Sequence, residues 1–149
     1  MMKKDTNRFE FDLPDGWQDQ TVFHFRGPVI DDQEHLLTLV IDRFLQQTDV
    51  REFARPRTQP VLAALQGVEV LKDEETTVPG CYPSYEFVYR WMPVEGVKIF
   101  KKQIFVLRES AGYAFDIEFS KKSYKMLGEQ VKKVIENLLP GTYEPREDR

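Results

Sequence analysis

The sequence predicts an α+β fold, an antiparallel β-sheet packed with α-helices. Three features point to it. Runs rich in apolar, β-branched and aromatic residues recur along the chain; short Gly-, Pro- or Ser-bearing connections favour a meander; and two stretches of helical spacing interrupt and close the series. A doubly wound parallel sheet would instead alternate strands with helices throughout.

In chain order, Phe9, Phe11 and Leu13 alternate with acidic residues as a short strand and run into Pro14-Asp15-Gly16. That triplet signals a turn, because proline presets φ and glycine accepts φ > 0. Trp17 is expected to pack over it. Residues 21–25 and 36–41 read as a strand pair divided by the breakers Gly27-Pro28 and Asp31-Asp32. Thr48 and Asp49 offer capping side chains to a first helix over residues 50–65, where Val50, Phe53, Ala54, Val61, Leu62 and Leu65 mostly keep helical spacing. Pro56 and Pro60 leave open one rod or two pieces, the second ending near Gly67.

Four further strands are expected over 68–77, 84–91, 97–108 and 112–119. In the second of these, Tyr85, Phe87, Tyr89 and Trp91 share a face opposite Ser84, Glu86 and Arg90. In the fourth, Tyr113, Phe115, Ile117 and Phe119 lie opposite Asp116 and Glu118. Both patterns fit a sheet with one buried side. A closing helix from Ser120 or Ser123 through Leu138 carries an apolar stripe of Met126, Leu127, Val131, Val134, Ile135 and Leu138, and is expected to stop at Pro140-Gly141.

A chain of 149 residues, 41% hydrophobic and 31% charged, suits one ordinary folded domain spanning 1–149, with loose ends at 1–8 and 142–149. The basic start is not followed by an apolar run, so no export signal is expected, and no stretch approaches the roughly 20 apolar residues of a membrane span. Direct membrane insertion is therefore not expected. A single cysteine, Cys81, excludes an internal disulfide and suits a reducing, cytoplasmic setting. The net charge of −4 gives no long-range attraction for nucleic acid. Lysines interleaved with aromatics between Tyr89 and Lys102 resemble a single-strand platform, but on a strand they also read as the solvated half of an alternating pattern.

Catalytic and metal chemistry find little support. His24 and His35 lie outside any paired-histidine motif, so neither a metal nor another cofactor is expected. Cys81 sits in a Pro-Gly-Cys-Tyr-Pro turn without a nucleophile elbow, and the glycines form no phosphate-binding loop. Acidic pairs such as Glu74-Glu75 read as solvated residues. The chain is therefore read as a binding protein, not an enzyme.

One pattern asks for an occupant. Residues 21–25, 36–41 and 97–107 are apolar on both faces, so something must cover the second face. A second internal helix, another subunit or a ligand held in a groove would each do so, and pattern alone leaves these open. Alternation places Gln103 with Ile99, Phe105 and Leu107, a lone amide among apolar neighbours.

The run from Phe9 through Leu13-Pro14-Asp15-Gly16-Trp17, with Asp19 and Thr21-Val22, then the strand pair, the Pro-containing helix, the Tyr85-Glu86-Phe87 and Lys102-Gln103 strands and the closing amphipathic helix, resembles the DcrB-related proteins. More narrowly, it is similar to the Eag chaperones of bacterial type VI secretion. The resemblance implies a PsbP-like α/β sandwich, a homodimer, that shields the hydrophobic N-terminal transmembrane helices of a secreted effector before loading on the spike. It implies a groove in which Gln103 supplies a polar side chain, with Val22, His24, Leu39, Ile41, Ile99 and Phe105 assigned to its wall by alternation. Two other readings stand beside it: an interaction domain of the same fold with an unrelated partner, and a small-molecule enzyme with an unrecognised pocket.

Overall fold

In the computed structural model, residues 13–18, 20–43, 49–78, 82–109 and 111–142 are described. Strands β1 (Gln20–Arg26) and β2 (Leu36–Asp42) form the expected antiparallel pair. Between them Asp31 and Asp32 both take positive φ, 51° and 64°, while Ile30 and Gln33 exchange backbone hydrogen bonds. This is the left-handed geometry of a type I′ turn, which a short acidic side chain tolerates.

Helix α1 (Val50–Ala64) then carries the chain to the far side of the sheet, where β3 (Glu69–Val78), β4 (Tyr82–Val94), β5 (Val97–Arg108) and β6 (Ala111–Phe119) meander back. The strand order is β1-β2-β6-β5-β4-β3, with every pairing antiparallel. Helix α2 (Lys121–Thr142) closes the chain. The architecture is the α+β sandwich expected from the sequence.

The two helices pack on opposite faces. On one, Leu127, Val131 and Ile135 of α2 meet Leu37, Leu39 and Ile41 of β2, Tyr113, Phe115, Ile117 and Phe119 of β6, and Ile104 and Val106 of β5. On the other, Val50, Phe53 and Ala54 of α1 meet Tyr85, Phe87 and Tyr89 of β4 with Phe105 and Leu107 of β5. Much of the double apolarity of β5 is thus satisfied internally, by a different helix on each side. Ser120 starts α2 by accepting from the Ser123 backbone N–H (3.1 Å), while the Ser123 hydroxyl accepts from the Ser120 N–H (2.9 Å). Asp49 caps α1 through the Arg51 N–H.

Several expectations are corrected. The Pro14 turn closes through a Trp17 N–H to Pro14 carbonyl bond of 3.1 Å, yet Trp17 is 69% exposed and does not pack over it. Helix α1 is one rod: Pro56 and Pro60 both lie on its exposed side, so the carbonyls deprived of an N–H partner are open to water. Helix α2 runs past Pro140-Gly141 to Thr142, and the missing Pro140 N–H costs it one bond, to the Glu136 carbonyl. In β4, Ser84 and Val88 are buried on the face expected to be solvated. The strand segment 9–12, Cys81 and the ends 1–8 and 143–149 lie outside the described residues. Among the described residues, no helix is long and apolar enough to cross a membrane.

A helix-wide trough beside the first helix

Among the described residues, helix α1 covers β4 and β5, and no helix lies over β1, β2 and β6 on that face. A recess of about 390 Å³ opens between the helix and these strands. Strand spacing fixes its width. Two steps of about 4.8 Å separate β1 from β6, a strip roughly 10 Å wide, and an α-helix with its side chains is about 10–12 Å across.

Register decides which side chains floor the strip. Val22 pairs with Val40 and His24 with Thr38, while Thr38 pairs with Asp116 and Val40 with Ala114 on the next strand. Gln103 in turn pairs with Asp116, and Phe105 with Ala114. The floor is therefore apolar along Val22, Val40 and Ala114, beside a polar row of His24, Thr38, Asp116 and Gln103 in which Asp116 is charged. His24 Nδ1 lies 3.1 Å from the Thr38 hydroxyl. The outer part is open, with Val22 45% exposed.

Of the residues assigned to a groove, Val22, His24, Ile99, Gln103 and Phe105 do share this face. Phe105 is buried beneath α1, edge-on to Phe53 at 5.8 Å, and Ile99 lies toward the hairpin end opposite Trp91. Leu39 and Ile41 do not belong here. Both are 0% exposed and point to the opposite face, into the α2 core. Their neighbours Val40 and Thr38 hold those positions. The missed signal was the one-residue parity of β2: its odd positions are uniformly large and apolar, whereas its even ones include Thr38 and Asp42.

Gln103 is the most constrained polar group in the trough. Its Nε2 donates to Asp116 Oδ2 at 2.9 Å, and since a carboxylate only accepts, this bond sets the orientation of the amide. The Oε1 is then buried with no hydrogen-bond partner. Such an acceptor costs about 1–3 kcal/mol. The charged residues that line the recess are paired: Lys101 bridges Asp116 (3.1 Å) and Glu118 (3.8 Å), and Arg57 lies 3.8 Å from Asp42 with its guanidinium over the Phe53 ring. Burial lowers the Arg57 pKa below its usual range, against the opposing pull of Asp42.

No protein-family model matches this chain, and no protein of curated function does. Among solved structures it is similar to PA94 from Pseudomonas aeruginosa, a protein of unknown function. The TM-score is 0.68 at 18% identity, over 93% of this chain and 92% of that one. The likeness is one of fold. Among the described residues, no group of three His, Cys, Asp or Glu is placed to hold a metal ion.

His35 lies away from the trough. It is 1% exposed just before β2, and its Nδ1 donates to the Pro28 carbonyl at 2.8 Å, so it ties the Gly27-Pro28 bend to the sheet.

Proposed function

We propose that this chain is a non-catalytic, cytoplasmic adaptor chaperone that shelters an apolar helical segment of a secreted effector in the trough beside α1. The observation that carries the reading is the strip over β1, β2 and β6, which no helix among the described residues covers. It has the width of one helix, an apolar floor of Val22, Val40 and Ala114, and the unpaired Gln103 oxygen. A seven-residue strand is about 23 Å long, which matches some 15 residues of helix. Apolar segments with small and hydroxyl side chains fit such a floor closely, and a hydroxyl brought by the partner would satisfy Gln103.

This agrees with the resemblance to Eag chaperones of type VI secretion, in which the cargo is the transmembrane N-terminus of an effector awaiting the spike. Binding and release need no cofactor in this scheme. The homodimer that the resemblance implies would have a place along β1, which among the described residues pairs with β2 alone and has no carboxylate, lysine or arginine between Val22 and Phe25. At the opposite edge of the sheet, β3 carries Lys72, Asp73, Glu74, Glu75 and a bulge, features that discourage pairing.

The test is co-expression with the transmembrane-bearing N-terminus of an effector, followed by co-purification. Wild type should retain the segment and Val40→Asp should release it while keeping its circular dichroism spectrum. Failure to retain any of several such segments would sink the chaperone assignment.

A further inference from the structure

On the opposite face, α2 lies along β5 and β6 and leaves a second recess, of about 470 Å³, over the β3 and β4 side of the sheet. That volume falls within the range of small-molecule sites. Its floor is one carboxylate shared by two ammonium groups. Glu86 lies 3.5 Å from Lys72 and 3.4 Å from Lys102, and the Glu86 and Lys102 side chains are each only 13% exposed. From α2, Lys125 and Lys132 line the same recess, and neither has an ion-pair partner among the described residues. With Glu129 and Glu136 the lining holds four lysines against three glutamates, a positive excess in a chain whose net charge is −4.

Gly128 adds space to the recess. It lies well inside α2 and lines the recess, where glycine weakens a helix relative to alanine. A Cβ added there would meet nothing within 4 Å, so no neighbour in this chain requires its absence. The bare backbone leaves room for something else to approach the helix.

We propose that this recess binds a small anion bearing carboxylate or phosphate groups, held between Lys102 on the floor and Lys132 on the helix, with Gly128 giving it space. The burial of Lys102 strengthens its charge-assisted contacts relative to those of the exposed Lys132. The inference does not rest on the chaperone reading, because the two recesses lie on opposite faces.

The full chain would be titrated calorimetrically with pyrophosphate and, separately, malonate, with sodium chloride at matched ionic strength as control. Saturable binding of at least one, with Kd of about 1 mM or tighter, is expected, and which one binds identifies the anionic group. Lys132→Glu should weaken it by about tenfold or more, whereas Lys121→Glu, outside the recess, should not. Gly128→Ala should raise Tm yet weaken binding, a combination that a purely structural glycine would not give. Absence of saturation with both anions, or equal weakening by Lys121→Glu and Lys132→Glu, overturns the proposal.

Discussion

Leu39 and Val40 are consecutive in β2 but face opposite environments, and truncating each to alanine separates them quantitatively. Leu39 is fully buried between β6 and α2, so Leu39→Ala removes packed methyl groups from a site that can only partly collapse. Such changes cost about 2–5 kcal/mol, and with about 3 kcal/mol as the central value Tm should fall by roughly 6–12 °C in a domain of this size. Val40 is half-buried on the trough floor, with no helix among the described residues above it. Its truncation loses strand propensity and little packing, about 1 kcal/mol or less and roughly 2–4 °C. Urea unfolding with unchanged slope would give both values on one scale. Equal losses for the two variants would refute the assignment of faces on which the trough depends.

Pro56→Ala should stabilise the protein. Proline inside a helix is about 3 kcal/mol worse than alanine, and after allowing up to about 1 kcal/mol for its restriction of the unfolded chain, a net gain of roughly 2 kcal/mol should appear as a higher Tm. A loss of stability would mean that the proline ring itself packs in α1. Two phenols should titrate late: burial, then the hydrogen bond to Asp73, pushes Tyr85 up to about 12, and burial with Asp116 and Glu118 does the same for Tyr89. Both folded values lie above the unfolded one of about 10, so their contribution to stability is complete below about pH 10 and is lost as pH rises through about 12. Phenolate absorbance should lose amplitude near pH 12 in Tyr85→Phe, and loss of amplitude near pH 10 instead would contradict the buried, hydrogen-bonded Tyr85.

Much of the fold was legible because alternation and punctuation agree. The aromatic row of β4 and that of β6 are each confined to one parity, and both appear on single faces. What alternation within one strand cannot reveal is which face of the sheet each row occupies, and these two rows lie on opposite ones. The same gap misplaced Leu39 and Ile41: β2 is apolar at nearly every position, so only its pairing with Val22 and Ala114 identifies the side that lacks a helix. Gln103 was recognisable because a neutral amide among Ile99, Phe105 and Leu107 stands out whichever face it occupies. The lysine recess left no local trace, since Lys72, Lys102 and Lys132 come from three elements far apart in sequence. Trp17 shows the opposite failure, a large apolar residue whose local motif forms without burying it.

Lys102 and Gln103 are neighbours on β5, and the pleat sends one into each recess. The sheet at that point is a partition one peptide thick between two compartments. Each side chain is tied to its own side, Lys102 to Glu86 and Gln103 to Asp116, while both hang from the same peptide plane. If the proposed cargo and the proposed anion both bind, a guest that shifted this plane on reaching Gln103 would shift the root of Lys102 with it. Such a coupling would be reciprocal, each ligand changing the other's affinity by the same factor.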